Sequence, residues 1–440
     1  MPKTAAVILA AGKGTRMHSE LPKVLHRVAG KCLVQHVLDA VGEAGVVQKI
    51  VVIGHGGEQV QQLVGDSVSY AWQKEQLGTG HAVLQAMPHV AGDVERVLIL
   101  CGDTPLLTGQ SLKRLLRHFD ETGVKGAVLT ACLDRPDGYG RVVKDEEGLV
   151  LKIVEQGDAQ PAELEIKEVN SGVYCFARKE LEEALKILQP DNVQGEYYLT
   201  DVVSVFRRQG LPVSSCLTGE EDIYGINTRL ELARAEGIFR RRINEKLMEN
   251  GVTIIDPASS YIEAEVEIAP DTVIHPLTVI QGKTKIGSNC QVGPNVVMVD
   301  SVLGDGVKVW QSVLEAAVVG KGSRIGPFSY LRPGTVLGEE VKVGDFVELK
   351  NSFVGNNSKV PHLTYIGDAS IGKNVNIGAG TITCNYDGKR KWRTVIEDDA
   401  FIGSNSNLVA PLTIGEGAYV AAGSTLTKDL PEKSLGIARG

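Results

Sequence analysis

The sequence predicts two domains of different fold class. The first is a Rossmann-like α/β domain with a mostly parallel sheet, and the second, after a linker helix, is a left-handed parallel β-helix of hexapeptide repeats. Strand-like and helix-like stretches alternate through residues 1–227, a helix start signal stands at Thr228–Glu231, and an aliphatic residue returns every sixth position from Ile262 to Leu426. We therefore expect the α/β domain over 1–227, the linker helix over 228–250 and the β-helix over 251–440.

The six-residue period matches neither the 3.6-residue period of a helix nor the two-residue alternation of a strand. A three-sided coil satisfies it, because each unit then supplies one short strand and one corner, with its aliphatic residue pointing to the axis. So many consecutive matches argue against a β-sandwich with chance spacing. The aliphatic series are Ile262, Ile268, Ile274, Ile280, Ile286 and Val292; Ile325, Leu331, Leu337, Val343 and Leu349; and Ile396, Ile402, Leu408, Ile414, Val420 and Leu426.

The composition bounds the function classes. The chain has 440 residues, 43% of them hydrophobic and 23% charged, which is typical of globular domains. The formal net charge of −8 gives no general affinity for nucleic acid, so a phosphate site must be local. The basic run Arg240–Arg242 is interpreted as a solvated helix face rather than a nucleic-acid site.

The seven cysteines and the ends of the chain predict a cytoplasmic location. The cysteines have no CxxC spacing, which indicates reduced thiols, and no HExxH motif suggests zinc. The start of the chain runs directly into a strand-like stretch without signal-peptide features. No apolar segment reaches the ~18 residues of a membrane span, so no membrane association is expected.

A glycine-rich basic loop follows the first predicted strand. The strand Ala5–Ala10 leads into Ala11–Met17, where glycines let backbone N–H groups approach a phosphate and cations neutralise its charge. The spacing fits neither GxGxxG nor GxxxxGK. The residues alone leave open whether the loop binds phosphate or is only a tight turn between strand and helix.

Asp103 directly follows another buried strand, Val97–Leu100. Because ligands of such folds bind beyond the carboxyl ends of the strands, Asp103 and the glycine-rich loop are expected at the same edge. A carboxylate there suits Mg²⁺ that bridges nucleotide phosphates. Asp103 as the cap of a turn at Thr104–Pro105 is the alternative interpretation.

Five motifs give these features a family context: Leu9–Met17, Gln76–His81, Gly195–Asp201, His362–Tyr365 and Asn376–Asp387. With both halves in this order, the chain resembles the bifunctional bacterial N-acetylglucosamine-1-phosphate uridyltransferase / glucosamine-1-phosphate acetyltransferase family over nearly its whole length. The resemblance implies synthesis of UDP-N-acetylglucosamine for peptidoglycan and other cell-envelope polymers. It also implies that the first half is a nucleotidyltransferase domain that uses UTP and Mg²⁺.

The resemblance further implies specific residues for uridylyl transfer. Asp103 and Asn227 would hold Mg²⁺, and Arg16 and Lys23 would face the phosphates. Similar enzymes have Tyr where this chain has Cys101, whose backbone can serve equally. The residues implied for the UTP and sugar pocket are Leu9, Ala10, Ala11, Gly12, Lys23, Gln73, Gly78, Thr79, Cys101, Gly102, Asp103, Gly140, Glu155, Asn170 and Asn227.

In the repeat half, His362 stands between two irregularities. The period slips at Val354 before it, and the insertion Cys384–Trp392 interrupts the coil after it. Insertions in solenoids tend to line the binding face, and a near-neutral imidazole suits removal of an ammonium proton. Taken alone, however, His362 could be an ordinary surface residue.

By resemblance, His362 is the general base of acetyl transfer, and Glu348 orients the amine or His362. Three chains would pack their flat sides into a homotrimer with acetyl sites at subunit borders. Similar proteins also carry a polar or basic tail beyond the position of Gly440, which bears on acetyl-CoA affinity. The implied contacts are Arg332, Lys350, Tyr365 and Asn376 for glucosamine 1-phosphate, and Ala379, Asn385, Tyr386, Ser404, Ala422 and Arg439 for acetyl-CoA.

Two other functions stay open at this point. One is a monofunctional sugar-nucleotide pyrophosphorylase whose β-helix serves only for assembly. The other is a trimeric scaffold or effector-binding module without turnover.

Overall fold

The computed structural model describes residues 3–438, and the chain divides into two compact units. The first unit extends to Gly237 and the second begins at Ile238, so the boundary falls inside the long helix Arg229–Glu249. Within residues 3–438, no helix combines the length and the apolar character needed to cross a membrane.

The first unit contains a mixed, mostly parallel sheet covered by helices. The strands of this unit are β1 (Thr4–Leu9), β2 (Arg27–Val28), β3 (Lys31–Cys32), β4 (Gln48–Ile53), β5 (Ser69–Trp72), β6 (Arg96–Cys101), β7 (Gly126–Cys132), β8 (Arg141–Lys144), β9 (Val150–Val154), β10 (Glu168–Ala177) and β11 (Val213–Leu217). Strands β2 and β3 form a separate two-stranded antiparallel sheet, and the other nine form the main sheet. The helices are α1 (Leu33–Glu43), α2 (Gly57–Val64), α3 (Thr79–Ala86), α4 (Gly109–Thr122), α5 (Pro161–Leu164), α6 (Arg178–Lys186), α7 (Asp201–Arg208) and α8 (Arg229–Glu249).

The sheet order is β11-β7-β10-β6-β1-β4-β5, with β8 and β9 attached beside β10. Strand β1 lies between β4 and β6 and pairs in parallel with both, whereas β10 runs antiparallel to β6 and β7. The interior of β1 is fully buried, from Ala5 to Ile8, because helices cover both faces of the sheet. The predicted Rossmann-like α/β architecture is confirmed, and the carboxyl ends of β1 and β6 meet at one edge.

A capping box begins α8, as the sequence predicts. The Thr228 hydroxyl accepts from the backbone N–H of Glu231 at 3.2 Å, and the Glu231 carboxylate accepts from the backbone N–H of Thr228 at 2.8 Å. The helix ends just before Gly251, whose φ of 91° is a left-handed conformation that glycine tolerates.

The second unit is a three-sided parallel β-helix, which confirms the predicted fold of the repeat half. The first face consists of Thr253–Ile254, Val273–Ile274, Gln291–Val292, Lys308–Val309, Arg324–Ile325, Lys342–Asp345, Lys359–His362, Asn376–Ile377, Phe401–Ile402, Tyr419–Val420 and Leu435–Gly436. The second face consists of Tyr261–Ile262, Val279–Gln281, Val297–Val299, Val313–Glu315, Tyr330–Leu331, Glu348–Lys350, Tyr365–Gly367, Ile382–Cys384, Asn407–Val409 and Thr425–Leu426. The third face consists of Glu267–Ile268, Lys285–Ile286, Val302–Leu303, Val318–Val319, Val336–Leu337, Phe353–Val354, Ala369–Ile371, Thr394–Ile396 and Leu412–Ile414.

The aliphatic residues at six-residue spacing form the core of this β-helix. Nearly all are buried, as predicted, and the partly buried Ile268 packs against the same cluster. Small residues four positions later are buried at the corners, where their hydroxyls need partners. Thr272, for example, donates to the carbonyl of Gly287 at 2.7 Å and accepts from the backbone N–H of Cys290 at 3.1 Å.

Candidate active sites

A pocket of about 350 Å³ lies where β1 and β6 end, beside the paired residues Leu9 and Cys101. Its lining contains most of the residues that the sequence implies for a nucleotide pocket, together with several that it does not imply. The lining residues are Leu9, Ala10, Ala11, Gly12, Lys13, Lys23, Val24, Gln73, Gln76, Gly78, Thr79, Ala82, Cys101, Asp103 and Glu196. Lys13, Val24, Gln76, Ala82 and Glu196 are the additions, and of these Lys13, Gln76 and Glu196 lie within the quoted motifs.

The glycine-rich loop is closed against the strand ends by backbone contacts. Ala10 donates its N–H to the carbonyl of Val52 at 2.9 Å, and Gly102 donates to that of Leu9 at 2.9 Å. Gly14 has a φ of 60°, and a Cβ there would lie 2.6 Å from the Cβ of Lys23. Glycine at this position therefore allows the loop to pass directly over Lys23.

Lys23 lies at the centre of a small polar cluster. Its Nζ forms an ion pair with Asp103 and donates to Oδ1 of Asn227 at 2.9 Å. Arg16 also donates to Oδ1 of Asn227 at 2.9 Å, and the backbone N–H of Asn227 is held by Glu231 at 2.7 Å. The structure thus brings together Arg16, Lys23, Asp103 and Asn227, the four residues implied for phosphate and metal binding.

This cluster fits the predicted Mg²⁺ in its donor chemistry. A carboxylate oxygen of Asp103 and the amide oxygen of Asn227 both contact one cation, the ammonium of Lys23. Mg²⁺ prefers such oxygen donors and commonly takes only one or two from protein, with phosphate and water completing its shell. Across residues 3–438 no group of three or more His, Cys, Asp or Glu side chains could hold a metal ion.

Another wall of the pocket contains residues of the Gln76–His81 motif, which is hydrogen-bonded to residues 197–199. Gly78 has a φ of 107°, and a Cβ there would lie 2.6 Å from the carbonyl oxygen of Tyr197. The hydroxyl of Thr79 accepts from the backbone N–H of Leu199 at 3.0 Å, and Gln73 donates to the carbonyl of Gly78 at 3.0 Å. These contacts fix three predicted pocket residues in one wall.

Glu155, Gly140 and Asn170 lie outside this lining, and Gly140 contacts both of the others. Asn170 donates its backbone N–H to the carbonyl of Gly140 at 2.9 Å, and Gly140 lies against the carboxylate of Glu155. Burial raises the pKa of Glu155, and its carboxylate accepts from Thr200 at 3.4 Å.

Burial also raises the pKa of the Cys101 thiol to about 12. A protonated thiol at the pocket wall is a poor nucleophile at neutral pH.

In the second unit, five residues occupy one position in successive coils, at the corner that follows the first face. They are Asp345, His362, Ala379, Ser404 and Ala422. A backbone hydrogen bond joins each pair of neighbouring coils at this corner. The residue that follows the member in the later coil donates its N–H to the carbonyl oxygen of the member in the earlier coil, and the four distances are 2.7 to 3.3 Å. We call this set the corner column. It aligns the predicted general base with three of the predicted acetyl-CoA residues.

Asp345, which the sequence did not single out, contacts the predicted base. Its Oδ1 lies 3.0 Å from Nδ1 of His362, and both side chains are about half exposed. The backbone N–H of Asp345 itself and the hydrogen bond from His362 lower the pKa of this carboxyl. With Nδ1 held as a donor, Nε2 is the acceptor nitrogen of a neutral His362.

The predicted sugar-phosphate residues Arg332 and Lys350 lie side by side on the second face. Arg332 pairs with Glu348 at 2.8 Å, and Lys350 contacts Asp368 at 3.4 Å. Lys391, from the predicted insertion, approaches Lys350, and this contact lowers the pKa of Lys391. Glu348 is therefore a partner of Arg332, whereas His362 is contacted by Asp345.

The remaining predicted residues are spread around the same coils. Tyr365 pairs with Glu348 in the second face, and Asn376 pairs with Lys359 in the first. Asn385 donates to Asp368 at 2.5 Å, whereas Tyr386 is 61% exposed in the insertion. The last predicted acetyl-CoA residue, Arg439, lies outside the described residues.

Family models match the two halves of the chain separately. A MobA-like NTP transferase domain matches residues 6–205. A GMPPB C-terminal domain matches residues 261–365, and a bacterial transferase hexapeptide model of six repeats matches residues 393–428. The pocket at β1 and β6 therefore lies in a nucleotidyltransferase domain, and the β-helix is of the transferase hexapeptide type.

Full-length relatives combine both halves. Bifunctional protein GlmU of Heliobacterium modesticaldum is 54% identical over 440 residues, which is 100% of this chain and 96% of that protein. The protein of the same name from Carboxydothermus hydrogenoformans is 54% identical over 98% of this chain and 97% of its own length. A third, from Geobacillus sp., is 52% identical over 100% of this chain and 96% of its own length. This chain belongs to the bifunctional GlmU family of transferases.

Proposed function

We propose that the chain acetylates glucosamine 1-phosphate with acetyl-CoA and then transfers the uridylyl group of UTP to the product. The final product would be UDP-N-acetylglucosamine, a precursor of peptidoglycan and other cell-envelope polymers. One observation carries the proposal: each compact unit holds its own cluster of charged side chains, Lys23 with Asp103 in the first and His362 with Asp345 in the second. Two separate clusters require no shared residue between the two reactions.

The chemistry proposed for the first unit is an in-line displacement. A phosphate oxygen of N-acetylglucosamine 1-phosphate attacks the α-phosphorus of UTP, and the bond from that phosphorus to the pyrophosphate leaving group breaks. Arg16 and Lys23 neutralise the developing charge, and backbone N–H groups of the loop at Gly12 orient the phosphates. Asp103 and Asn227 would hold Mg²⁺, which supplies further charge neutralisation when bound.

The rest of the first site would select the base and the sugar. The wall built from Gln73, Gly78 and Thr79 bounds the nucleotide, and Gly140, Glu155 and Asn170 supply further polar contacts. Because Asn170 and Gly140 are hydrogen-bonded to each other, they would present their groups in a fixed arrangement. Fixed polar groups discriminate well between substrates that differ in a hydroxyl or amide.

The chemistry proposed for the second unit begins with His362. Its Nε2 accepts a proton from the ammonium group of glucosamine 1-phosphate, and the free amine attacks the acetyl carbon. The new C–N bond forms, the C–S bond breaks, and the leaving thiolate takes the second proton of the nitrogen. His362 then releases its proton to solvent, so the products are the N-acetyl sugar phosphate and CoA.

The surrounding residues would position the two substrates. Arg332 and Lys350 face the phosphate dianion, with Tyr365 and Asn376 on the sugar. The acetyl-CoA contacts would come from the corner column and the insertion, with a backbone N–H near Ala379 stabilising the oxyanion. These contacts are Ala379, Asn385, Tyr386, Ser404 and Ala422. Arg439, which lies outside the described residues, is the sixth proposed contact.

We also propose a homotrimer. The third face presents an unbroken row of apolar side chains in successive coils, Val302, Val318, Val336 and Phe353, each between 37% and 44% exposed. Burial of such rows around a threefold axis would remove this apolar surface from water. Acetyl sites at subunit borders would then combine residues from different faces.

We further propose that the chain works in the cytoplasm. All seven cysteines are free, including the buried Cys32, Cys175 and Cys290. Unpaired thiols are usual in a reducing compartment, where acetyl-CoA and UTP are also available.

A coupled assay tests the whole proposal. The purified chain is incubated with glucosamine 1-phosphate, acetyl-CoA, UTP and MgCl₂, and we expect UDP-N-acetylglucosamine with equal amounts of CoA and pyrophosphate. Omission of acetyl-CoA should stop product formation unless N-acetylglucosamine 1-phosphate replaces the first sugar. Nucleotide sugar formed without CoA release would identify a monofunctional pyrophosphorylase instead.

A further inference from the structure

Four basic residues occupy the outward position of four successive strands on the first face. Lys308 pairs with Arg324, Arg324 with Lys342, and Lys342 with Lys359, each in direct register. Neighbouring strands are about 4.8 Å apart, so the four Cα positions span about 14 Å along the β-helix. We call this row the cation ladder.

The cation ladder is not explained by ion pairing. Within residues 3–438, none of the four side chains forms a hydrogen bond or an ion pair with an acidic group. Asp345, three residues after Lys342, forms its ion pair with His362, and Lys342 only adds an electrostatic interaction that lowers the pKa of this carboxyl further. Like charges in direct register destabilise a sheet, so this row is unfavourable for folding and calls for another role.

The row is also specific to one face. The same outward position of the first face continues into Asn376, Phe401 and Tyr419, and it carries no acidic residue among the described strands. The corresponding coils of the third face carry valines and a phenylalanine. The row of four basic residues therefore belongs to the first face, which ends at the corner that carries the corner column.

The C-terminal end of the cation ladder, at Lys359, lies beside the proposed acetyl site. Lys359 and His362 belong to the same strand, and Asn376 lies directly beside Lys359 on the next coil. The ladder thus leads along the surface to the coil that carries the proposed base.

We propose that the cation ladder attracts the phosphate groups of the acetyl donor and raises the donor's local concentration at the His362 site. This inference rests on the proposed acetyl transfer. The chain has a formal net charge of −8, so its net charge gives no general attraction for a polyanionic donor. A row of cations that form no ion pair adds positive potential locally, and its effect weakens as salt shortens the Debye length from about 30 Å at 0.01 M to about 8 Å at 0.15 M.

The test compares a charged and an uncharged acetyl donor. A variant with Lys308→Gln, Arg324→Gln, Lys342→Gln and Lys359→Gln is assayed with acetyl-CoA and with S-acetylpantetheine, which lacks the phosphates near the nucleotide end. At about 10 mM ionic strength we expect kcat/KM for acetyl-CoA to fall on the order of 10-fold, with the deficit shrinking to less than about 2-fold at 0.5 M salt. The neutral donor should lose less than about 2-fold at either salt concentration.

A matched control removes the same charge elsewhere. Lys283, Lys321, Lys373 and Lys433 are exposed lysines outside the ladder, and their replacement by Gln gives the same net charge of −12. This control should keep its kcat/KM for acetyl-CoA within about 2-fold of the parent chain. Uridylyl transfer and the melting temperature of both variants report on folding.

Three outcomes would overturn the inference: an unchanged kcat/KM for acetyl-CoA at low salt, an equal loss with both donors, or a loss that salt does not reduce. An equal loss in the matched control would likewise show that net charge, not the ladder, is responsible. If the unaltered chain transfers acetyl from neither donor, the proposed function fails and the inference falls with it. An active parent chain with an unaffected ladder variant refutes the ladder alone.

Discussion

The Nδ1 atom of His362 lies 3.0 Å from Oδ1 of Asp345, which occupies the same corner position one coil earlier. The two side chains are 17 residues apart in the sequence, and only the stacking of coils brings them together. A carboxylate at this place fixes the ring orientation and the tautomer of the proposed base.

We predict that Asp345→Asn lowers kcat for acetyl transfer by about 10- to 100-fold, because the imidazole loses the acceptor that holds its Nδ1 proton. KM for both substrates should change less than about 3-fold, since Asp345 is not expected to touch them. Initial-rate kinetics of CoA release measure both quantities. Asp345→Glu should recover part of kcat, and an unchanged kcat in Asp345→Asn would show that the contact is only structural.

The two activities should be separable. His362→Ala should reduce acetyl transfer by about 10²- to 10⁴-fold, the range for loss of a general base, while leaving uridylyl transfer intact. Asp103→Ala should do the reverse, because it removes an acidic neighbour of Lys23 and a proposed Mg²⁺ ligand. Each partial reaction is measured on its own, with the other as the folding control. Loss of both reactions in either folded variant would contradict two independent sites.

Much of the fold could be predicted because its determinants are local. The spacing of Ile274, Ile280 and Ile286 specifies a coil without reference to distant residues, and the capping box at Thr228 marks the start of α8 within four residues. The alternation of strands and helices likewise indicates the layered α/β domain. Each of these patterns is a residue period or a helix cap that is complete within one or two turns of the structure, so it can be recognised in a short stretch of sequence.

The contacts within the sites could not be predicted from local patterns. Lys23 and Asn227 are 204 residues apart, and their contact depends on how the helix start at Thr228 docks beside the glycine-rich loop. Asp345 contacts His362 because the two residues are one complete coil apart. The six-residue period slips between them, so it does not predict which residues of neighbouring coils meet. The cation ladder could not be predicted for the same reason, because its members become neighbours only after a full turn of the β-helix.

The Cys101 thiol should be unreactive in the native protein. Burial raises its pKa to about 12, so its thiolate fraction at pH 8 is on the order of 10⁻⁴. We expect iodoacetamide to label the exposed Cys132 at least about 10³-fold faster, and peptide mapping by mass spectrometry measures both rates. Denaturation should make the two rates similar. Rapid native labelling of Cys101 would mean that its surroundings are more open than the structure describes.

Glu155 should make stability depend on pH in a definite direction. Burial raises its pKa in the folded chain, so the folded state favours the protonated acid. Below the unfolded pKa of about 4.3 both states are protonated, and stability attributable to Glu155 is lost as pH rises through the folded pKa. Glu155→Gln has no charge to bury, so its melting temperature should exceed that of the parent chain at pH 7.

This advantage of Glu155→Gln should shrink as pH falls toward 4, because the parent carboxyl then becomes neutral as well. Thermal melts of both chains between pH 4 and pH 8 measure the difference directly. Glu146→Gln, at an exposed glutamate on the surface of the same domain, serves as the matched control and should show no comparable trend. A Glu155→Gln chain that melts lower at pH 7 and gains nothing as pH rises would mean that the ionised carboxylate is stabilised by its partners, Thr200 included, rather than penalised by burial.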